Sequence, residues 1–217
     1  RHRADSESGD YHTALRSLSG GGLASTGLPS QTESDSDHVG IYPVTRAVFF
    51  DRDGVINQAP VRDGHPYSPA NLEQFTWVNG IHDVSEQLKS GGFLLFCVTN
   101  QPDVGRGLQS RAVVESFHER IMGELPFQKI YTCYHDGIEQ CVCRKPQPGM
   151  VLQAASEYGL DIACCWLVGD RWKDIDAGNA AGCKTVFLDY GYDENLKSNP
   201  DHIITDVREL PSLILQA

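Results

Sequence analysis

The stretch that decides the fold is AVFFDRDGVIN, residues 47–57. It opens with an uninterrupted apolar run, Ala47–Phe50, and continues acid, base, acid, glycine. An apolar run too short for a helix reads as a strand buried on both faces, the habit of parallel sheets. Such sheets bind ligands at the carboxyl ends of their strands, which is where Asp51 and Asp53 stand. Two residues apart in an extended chain, they start on the same side, roughly 6.6 Å apart along it. Close carboxylates repel each other unless a cation or a proton sits between them. The pair therefore suits a magnesium-assisted phosphoryl transfer. Asp51 is the candidate nucleophile, forming an aspartyl-phosphate. Asp53 is the candidate acid/base, protonating the leaving oxygen and then taking a proton from the hydrolytic water. Gly54 lets the chain turn behind them. Read alone, the same residues could be a turn with two solvated acids.

Outward from this stretch, apolar runs alternate with amphipathic ones. Strands are expected at Ala47–Phe50, Phe93–Val98, Lys129–Tyr134, Cys164–Val168, Lys184–Leu188 and His202–Ile204. Helices are expected at Gly80–Ser90, Gln109–Gly123, Gly149–Tyr158, Trp172–Ala181 and at the end of the chain. The alternation implies an α/β fold, a doubly wound parallel sheet with helices on both faces in three layers. Residues 44–217 form this domain. Residues 1–43 are rich in Ser, Gly and Asp and read as a flexible tail or linker, with a weak helix over Tyr11–Leu18. The tail also fits linkage or fusion to an upstream domain.

The formal charge of −11 over 217 residues argues against a nucleic-acid surface, which needs clustered Lys and Arg. No apolar stretch reaches the ~20 residues of a membrane span. Seven cysteines, an odd number in a chain rich in core residues, fit a reducing, cytoplasmic setting better than a disulfide framework. The protein is expected to act as a monomer on a small-molecule phosphate ester.

Three further motifs end apolar runs. VTNQ brings Thr99, Asn100 and Gln101, with hydroxyl, amide and backbone N–H groups suited to phosphate. RKPQPG brings Arg144 and Lys145, a cation able to pair with phosphate and carboxylates. VGDRWKDIDAG brings Asp170, whose oxygens suit magnesium beside Asp51. Asp174, one helical turn on, could orient that shell. Each motif alone has a bland reading as a turn, a surface lysine or helix-start acids; together they are hard to explain structurally. A fourth feature, CYHDGIEQCVC, carries Cys133, His135, Cys141 and Cys143. Three thiolates and an imidazole match a closed structural zinc site; unpaired thiols on a loop are the alternative. Cys97, Cys164, Cys165 and Cys183 read as core thiols, and Trp172 and Tyr190 as packing residues.

DRDGVIN, VTNQ, RKPQPG and VGDRWKD resemble the four motifs of the haloacid dehalogenase (HAD) superfamily, over about Thr45 to Tyr192. The likeness is to its phosphatases of heptose 1,7-bisphosphate and histidinol phosphate. It implies Asp51 as nucleophile, Asp53 as acid/base, and Thr99 and Lys145 as the residues that position and neutralise the phosphoryl group. It implies magnesium held by Asp51, Asp170 and the backbone carbonyl of Asp53. It implies Arg144 and Tyr67 as substrate contacts, with Asn100, Gln101 and Arg171 completing that set. Those phosphatases carry a Cys-x-His…Cys-x-Cys loop at Cys133–Cys143, so zinc is implied there, bracing Arg144 and Lys145. No large cap domain is implied. The substrate would be a sugar phosphate such as heptose 1,7-bisphosphate. Histidinol phosphate is the alternative, favoured by the short span from His135 to Cys141. A polynucleotide 3′-phosphatase and a non-catalytic zinc module rank lower. The chain departs from the relatives at Pro102–Asp103, where they often read Ser-Gly, and in a longer segment from Gln58 to Trp77, which holds His65 and Tyr67.

Overall fold

The computed structural model describes residues 45–138 and 140–216. The expected linker and its helix at Tyr11–Leu18 lie outside the described residues. Strand β1 (Ala47–Phe50) is wholly buried. Its side chains alternate between two apolar layers: Val48 and Phe50 join one, Ala47 and Phe49 the other. That period of two explains why a strand with both faces covered must be apolar at every position.

The other sheet strands are β4 (Leu94–Asn100), β5 (Lys129–Cys133), β6 (Trp166–Gly169), β7 (Lys184–Leu188) and β8 (His202–Ile204). A small hairpin, β2 (Val61–Arg62) and β3 (His65–Pro66), precedes them. The sheet runs β5-β4-β1-β6-β7-β8, every pairing parallel. The chain winds outward from β1 to β4 and β5, then returns to β1's other side for β6. The topological switch point, where crevices open in such folds, is therefore the carboxyl end of β1.

Helices α1 (Ile81–Ser90), α3 (Arg111–Glu124) and α6 (Leu210–Ile214) feed the layer of Val48 and Phe50. Helices α4 (Gly149–Tyr158) and α5 (Trp172–Ala181) cover the other. The three-layer expectation holds. Among the described residues, the only sheet structure outside the main sheet is the β2–β3 hairpin.

The boundaries moved where pairing or caps decided them. β4 runs on through Thr99 and Asn100, because both remain paired with β5 (Thr99 with Thr132, Asn100 with Cys133). A four-residue helix, α2 (Pro102–Gly105), follows directly. Cys164 is exposed rather than a core thiol, while Cys97, Cys165 and Cys183 are buried. Its segment forms a 3₁₀ turn, Ile162–Cys164, capped by the Asp161 carboxylate, and β6 begins only at Trp166. Tyr190 packs ring to ring with Tyr192 yet stays substantially exposed. Trp172 lies under the ammonium of Lys197, 3.3 Å from its ring centre.

Candidate active site

The register explains why four distant motifs meet. Phe50 pairs with Cys97 on one side and Val168 on the other, so Asp51, Thr99 and Asp170 all sit just past that level. The Asp51 N–H donates to the Val168 carbonyl at 2.9 Å, which fixes the last rung. The Arg52 carbonyl then accepts from Ile56 and Asn57, curling the chain into a tight turn. Gly54 sits in that turn at φ +99°, and a Cβ there would strike the Asp170 carboxylate. Glycine is thus required twice over, for conformation and for close approach.

Lys145 is 3% exposed, and its ammonium reaches Asp51 Oδ1 at 2.6 Å, Asp174 Oδ1 at 2.6 Å and the Val98 carbonyl at 2.7 Å. Asn100 holds its backbone from both sides: the Asn100 amide donates to the Lys145 carbonyl at 2.9 Å, and the Lys145 N–H donates to Asn100 Oδ1 at 3.0 Å. The Gln101 amide donates to Asp53 Oδ2 and to Thr99 Oγ1, each at 2.9 Å. Asp51, Asp170 and Asp174 can each offer a carboxylate oxygen within 4.8 Å of the others. Asp170 is 1% exposed, and neither of its oxygens has a hydrogen-bond partner among the described residues.

Three buried carboxylates against one ammonium leave excess negative charge. Burial first, opposed by Lys145, pushes the Asp51 carboxyl up to about 6. Burial, then Asp51 and Asp174, push Asp170 well above the usual carboxylate range. Burial would lower the Lys145 ammonium, but Asp174 and Asp51 outweigh it and the net shift is upward. Asp53 goes the other way: burial opposes ionisation, but Arg52 and the hydrogen bonds of Asn57 and Gln101 hold it below its ordinary range. An all-oxygen, over-acidic cluster with an orphaned carboxylate fits a hard divalent cation.

The acid/base candidate stands apart from that cluster. The Asp53 carboxylate faces Arg52 Nη2 at 2.7 Å and Asn57 Nδ2 at 3.0 Å. Arg52 is fully buried. Sequence reasoning passed over it as a spacer between two acids. The available signal was its place immediately after a wholly apolar strand, where a buried guanidinium needs anionic partners.

Tyr67, Arg144, Arg171 and Lys173 line the same cleft as Asp51 and Asp53. Tyr67 follows the β2–β3 hairpin, its N–H donating to the Pro60 carbonyl at 2.9 Å. Arg144 donates to the His135 carbonyl at 3.2 Å. Arg171 is engaged by Glu194 through two bonds of 2.7 and 2.9 Å. Asp103, the departure at the tip of VTNQ, pairs with Arg106 at 3.3 Å rather than facing the cleft alone. His65 is exposed on the hairpin. Lys173 was not singled out from sequence; its pKa is lowered by burial and then by Arg171 and Arg144.

The ligand atoms of Cys133, His135, Cys141 and Cys143 also lie within 4.8 Å of one another. The sulfurs of Cys133 and Cys141 are 3.8 Å apart, and His135 Nδ1 is 3.3 Å from the sulfurs of both Cys133 and Cys143. A tetrahedron with metal–sulfur bonds of about 2.3 Å has sulfur–sulfur edges of about 3.8 Å. The residues present fit a zinc ion.

Fold and strand-tip arrangement mark a phosphatase of the haloacid dehalogenase type. A HAD-hydrolase-like family model matches residues 142–210. The chain is 33% identical over 183 residues to the D-glycero-beta-D-manno-heptose-1,7-bisphosphate 7-phosphatase of Pasteurella multocida, covering 78% of this chain and 96% of that one. It is 36% identical over 154 residues to the enzyme of the same name from Yersinia pestis, covering 65% and 79%. The crystal structure of D,D-heptose 1,7-bisphosphate phosphatase from B. bronchiseptica, complexed with magnesium and phosphate, superposes with a TM-score of 0.65 at 25% identity, covering 80% of this chain and 99% of that one. The chain belongs to the heptose bisphosphate phosphatase family within the HAD superfamily.

Proposed function

We propose that the protein hydrolyses a sugar phosphate, heptose 1,7-bisphosphate being the reading its relatives support best, through an aspartyl-phosphate on Asp51. The observation that carries this is Lys145: one buried ammonium bonded to Asp51 and Asp174 at 2.6 Å each, beside the unpartnered carboxylate of Asp170.

In this reading Asp51 attacks phosphorus, the bond to the leaving oxygen breaks, and Asp53 gives that oxygen a proton. Arg52 keeps Asp53 ionised in the free enzyme; the negative charge of an arriving phosphate ester favours its protonated form. In the second half Asp53 takes a proton from water as the water attacks the aspartyl-phosphate, releasing phosphate and restoring Asp51. Thr99 and Lys145 hold the phosphoryl oxygens. Asn100 and Gln101 act one step back, fixing Lys145 and Asp53. Asp51, Asp170 and the Asp53 carbonyl would hold magnesium, which when bound neutralises charge on the transferring group. Cys133, His135, Cys141 and Cys143 would hold zinc, keeping the Arg144 segment in place without taking part in chemistry. Tyr67, Arg144, Arg171 and Lys173 would contact the remainder of the substrate. The positive charge of Arg144, Arg171 and Lys173 favours a second phosphate over the ammonium of histidinol phosphate. With all seven cysteines free, a reducing cytoplasmic setting fits the thiolate loop.

The test is a phosphate-release panel of heptose 1,7-bisphosphate, other sugar phosphates, histidinol phosphate and DNA 3′-phosphate ends, with magnesium and with chelator. Turnover of a small sugar phosphate that stops on chelation is expected. Equal, slow release across the panel contradicts the reading.

A further inference from the structure

Arg52 is among the largest side chains in the protein with no solvent exposure. Each of its three guanidinium nitrogens has a partner. Nη2 lies 2.7 Å from Asp53 Oδ2 and 3.0 Å from Oδ1, and Nε lies 3.2 Å from Oδ1. Nη2 also donates to Ser68 Oγ at 2.6 Å, and Nη1 faces His118 Nε2 at 3.4 Å. The guanidinium carbon is 5.2 Å from the Phe117 ring centre.

A guanidinium only donates, so His118 Nε2 must accept and His118 Nδ1 must carry the hydrogen. That hydrogen points at Glu115 Oε2, 3.3 Å away. Glu115 Oε1 accepts the Tyr134 hydroxyl at 2.6 Å. Tyr134 lies between Cys133 and His135, two of the proposed zinc ligands. An unbroken polar chain thus runs from the candidate acid/base, through helix α3, to the cysteine loop. Burying His118 in the apolar stripe of α3 beside Val114, Phe117 and Ile121, with Arg52 packed over Phe117, is expensive unless both are partnered. An apolar pair of similar volume would stabilise the fold as well or better. What Arg52, held by His118, adds to the single hydrogen bonds of Asn57 and Gln101 is a charged grip on both oxygens of the Asp53 carboxylate, which fixes its orientation.

We propose that Arg52 is a positioning residue for Asp53, and that His118, Glu115 and Tyr134 brace it against the cysteine loop. This rests on the reading of Asp53 as the acid that protonates the leaving oxygen. The consequence is specific: losing the brace harms substrates whose leaving group needs a proton. Alkyl phosphates, including sugar phosphates, need it; 4-nitrophenyl phosphate, with its stable phenolate, does not. The ratio of kcat/KM for the two substrates reports bond breaking to the leaving group and is insensitive to a general loss of folded enzyme.

The experiment compares wild type, Asp53→Asn, Arg52→Lys and the double variant on a sugar phosphate and on 4-nitrophenyl phosphate, in metal-loaded enzyme. Misplacing a catalytic group by about an ångström costs on the order of 100-fold; Arg52→Lys is expected to lose about that on the sugar phosphate and only a few-fold on the aryl ester. In the double variant Arg52→Lys should cost nothing beyond Asp53→Asn, because it acts through that carboxylate. Tyr134→Phe, at the far end, should show the same selectivity at roughly fivefold. Where Arg52→Lys does not fold, His118→Gln carries the same comparison with Arg52 intact. Losses equal on both substrates, or losses that multiply with Asp53→Asn, overturn the proposal. An Asp53→Asn enzyme that shows no leaving-group selectivity overturns the acid/base reading beneath it instead.

Discussion

The carboxylate cluster and the cysteine loop are joined through Lys145, which is bonded to Asp51 and Asp174 and stands two residues after Cys143, and they are built on opposite principles. Asp51, Asp170 and Asp174 are buried and mutually repulsive, and the Asp170 oxygens have no hydrogen-bond partner among the described residues. The cysteine set mixes one buried residue, Cys133, with three half-exposed ones, at separations that close a tetrahedron. The first arrangement stores conflict that, in the proposed function, a cation and a substrate would resolve. The second resolves its own once a metal is present, and offers no open position for chemistry. On the proposed function, the fold tolerates the first because catalysis needs it and would use the second to hold it in place.

Breaking each side should therefore give opposite results. Asp51→Asn is expected to lower kcat by ~10⁴-fold or more while leaving the thermal midpoint of the metal-free protein unchanged or higher, since it removes a repelling charge. Steady-state kinetics and a melt on one preparation check both halves. Cys141→Ser is expected to do the reverse. Zinc content should fall, and the melting temperature should drop by roughly 5–10 °C, the equivalent of ~2–3 kcal/mol in a chain this size. Metal analysis and calorimetry decide it; an unchanged melt would remove the loop's structural role.

The comparison sharpens at His118, which lies between Arg52 and Glu115 and so links Asp53, next to the carboxylate cluster, to the cysteine loop. Burial first, then the Arg52 charge, lower its pKa from 6.5 to about 4. The folded state thus holds His118 neutral while the unfolded chain protonates it. Its contribution is complete above the unfolded pKa and is lost as pH falls from 6.5 toward 4. Urea unfolding of wild type and His118→Gln should show the wild type losing about 2 kcal/mol more between pH 7 and 5. Parallel curves for the two proteins would contradict the neutral assignment. The smallest effect concerns Arg144, which is bonded to the His135 carbonyl. Arg144→Ala should raise KM about tenfold with little change in kcat, and stripping zinc from the wild type should raise KM in the same direction. Effects confined to kcat would mean that Arg144 is not a substrate contact.

Much of this was legible in the sequence because the deciding signals are local. Ala47–Phe50 reads as a strand on its apolar run alone, and the glycine after Asp53 has one steric meaning at any switch-point turn. The sulfur and nitrogen ligands of the loop share a short segment, so spacing alone brings them together. The rest depended on contacts between remote segments. Arg52 looks like a spacer until Ser68 and His118 close around it from 16 and 66 residues away. His118 falls in the apolar stripe of α3, a polar residue in a core register, which was the one available hint. The β2–β3 hairpin has two residues per strand, too short to show a period. Asp174 was expected to orient the magnesium shell, with a helix-start acid as the alternative; its ion pair with Lys145 appears only when α5 is docked beside β6.

The central claim is that Asp51 forms a bond to phosphorus. Rapid acid quench of wild type and Asp53→Asn during turnover of 4-nitrophenyl phosphate, whose leaving group needs no proton from Asp53, followed by peptide mass mapping, tests it most directly. A hydroxylamine-labile phosphoryl group on the peptide holding residue 51, more abundant in Asp53→Asn and absent in Asp51→Asn, is the predicted result. A turning-over enzyme that never carries phosphate, or carries it on another side chain, would contradict it.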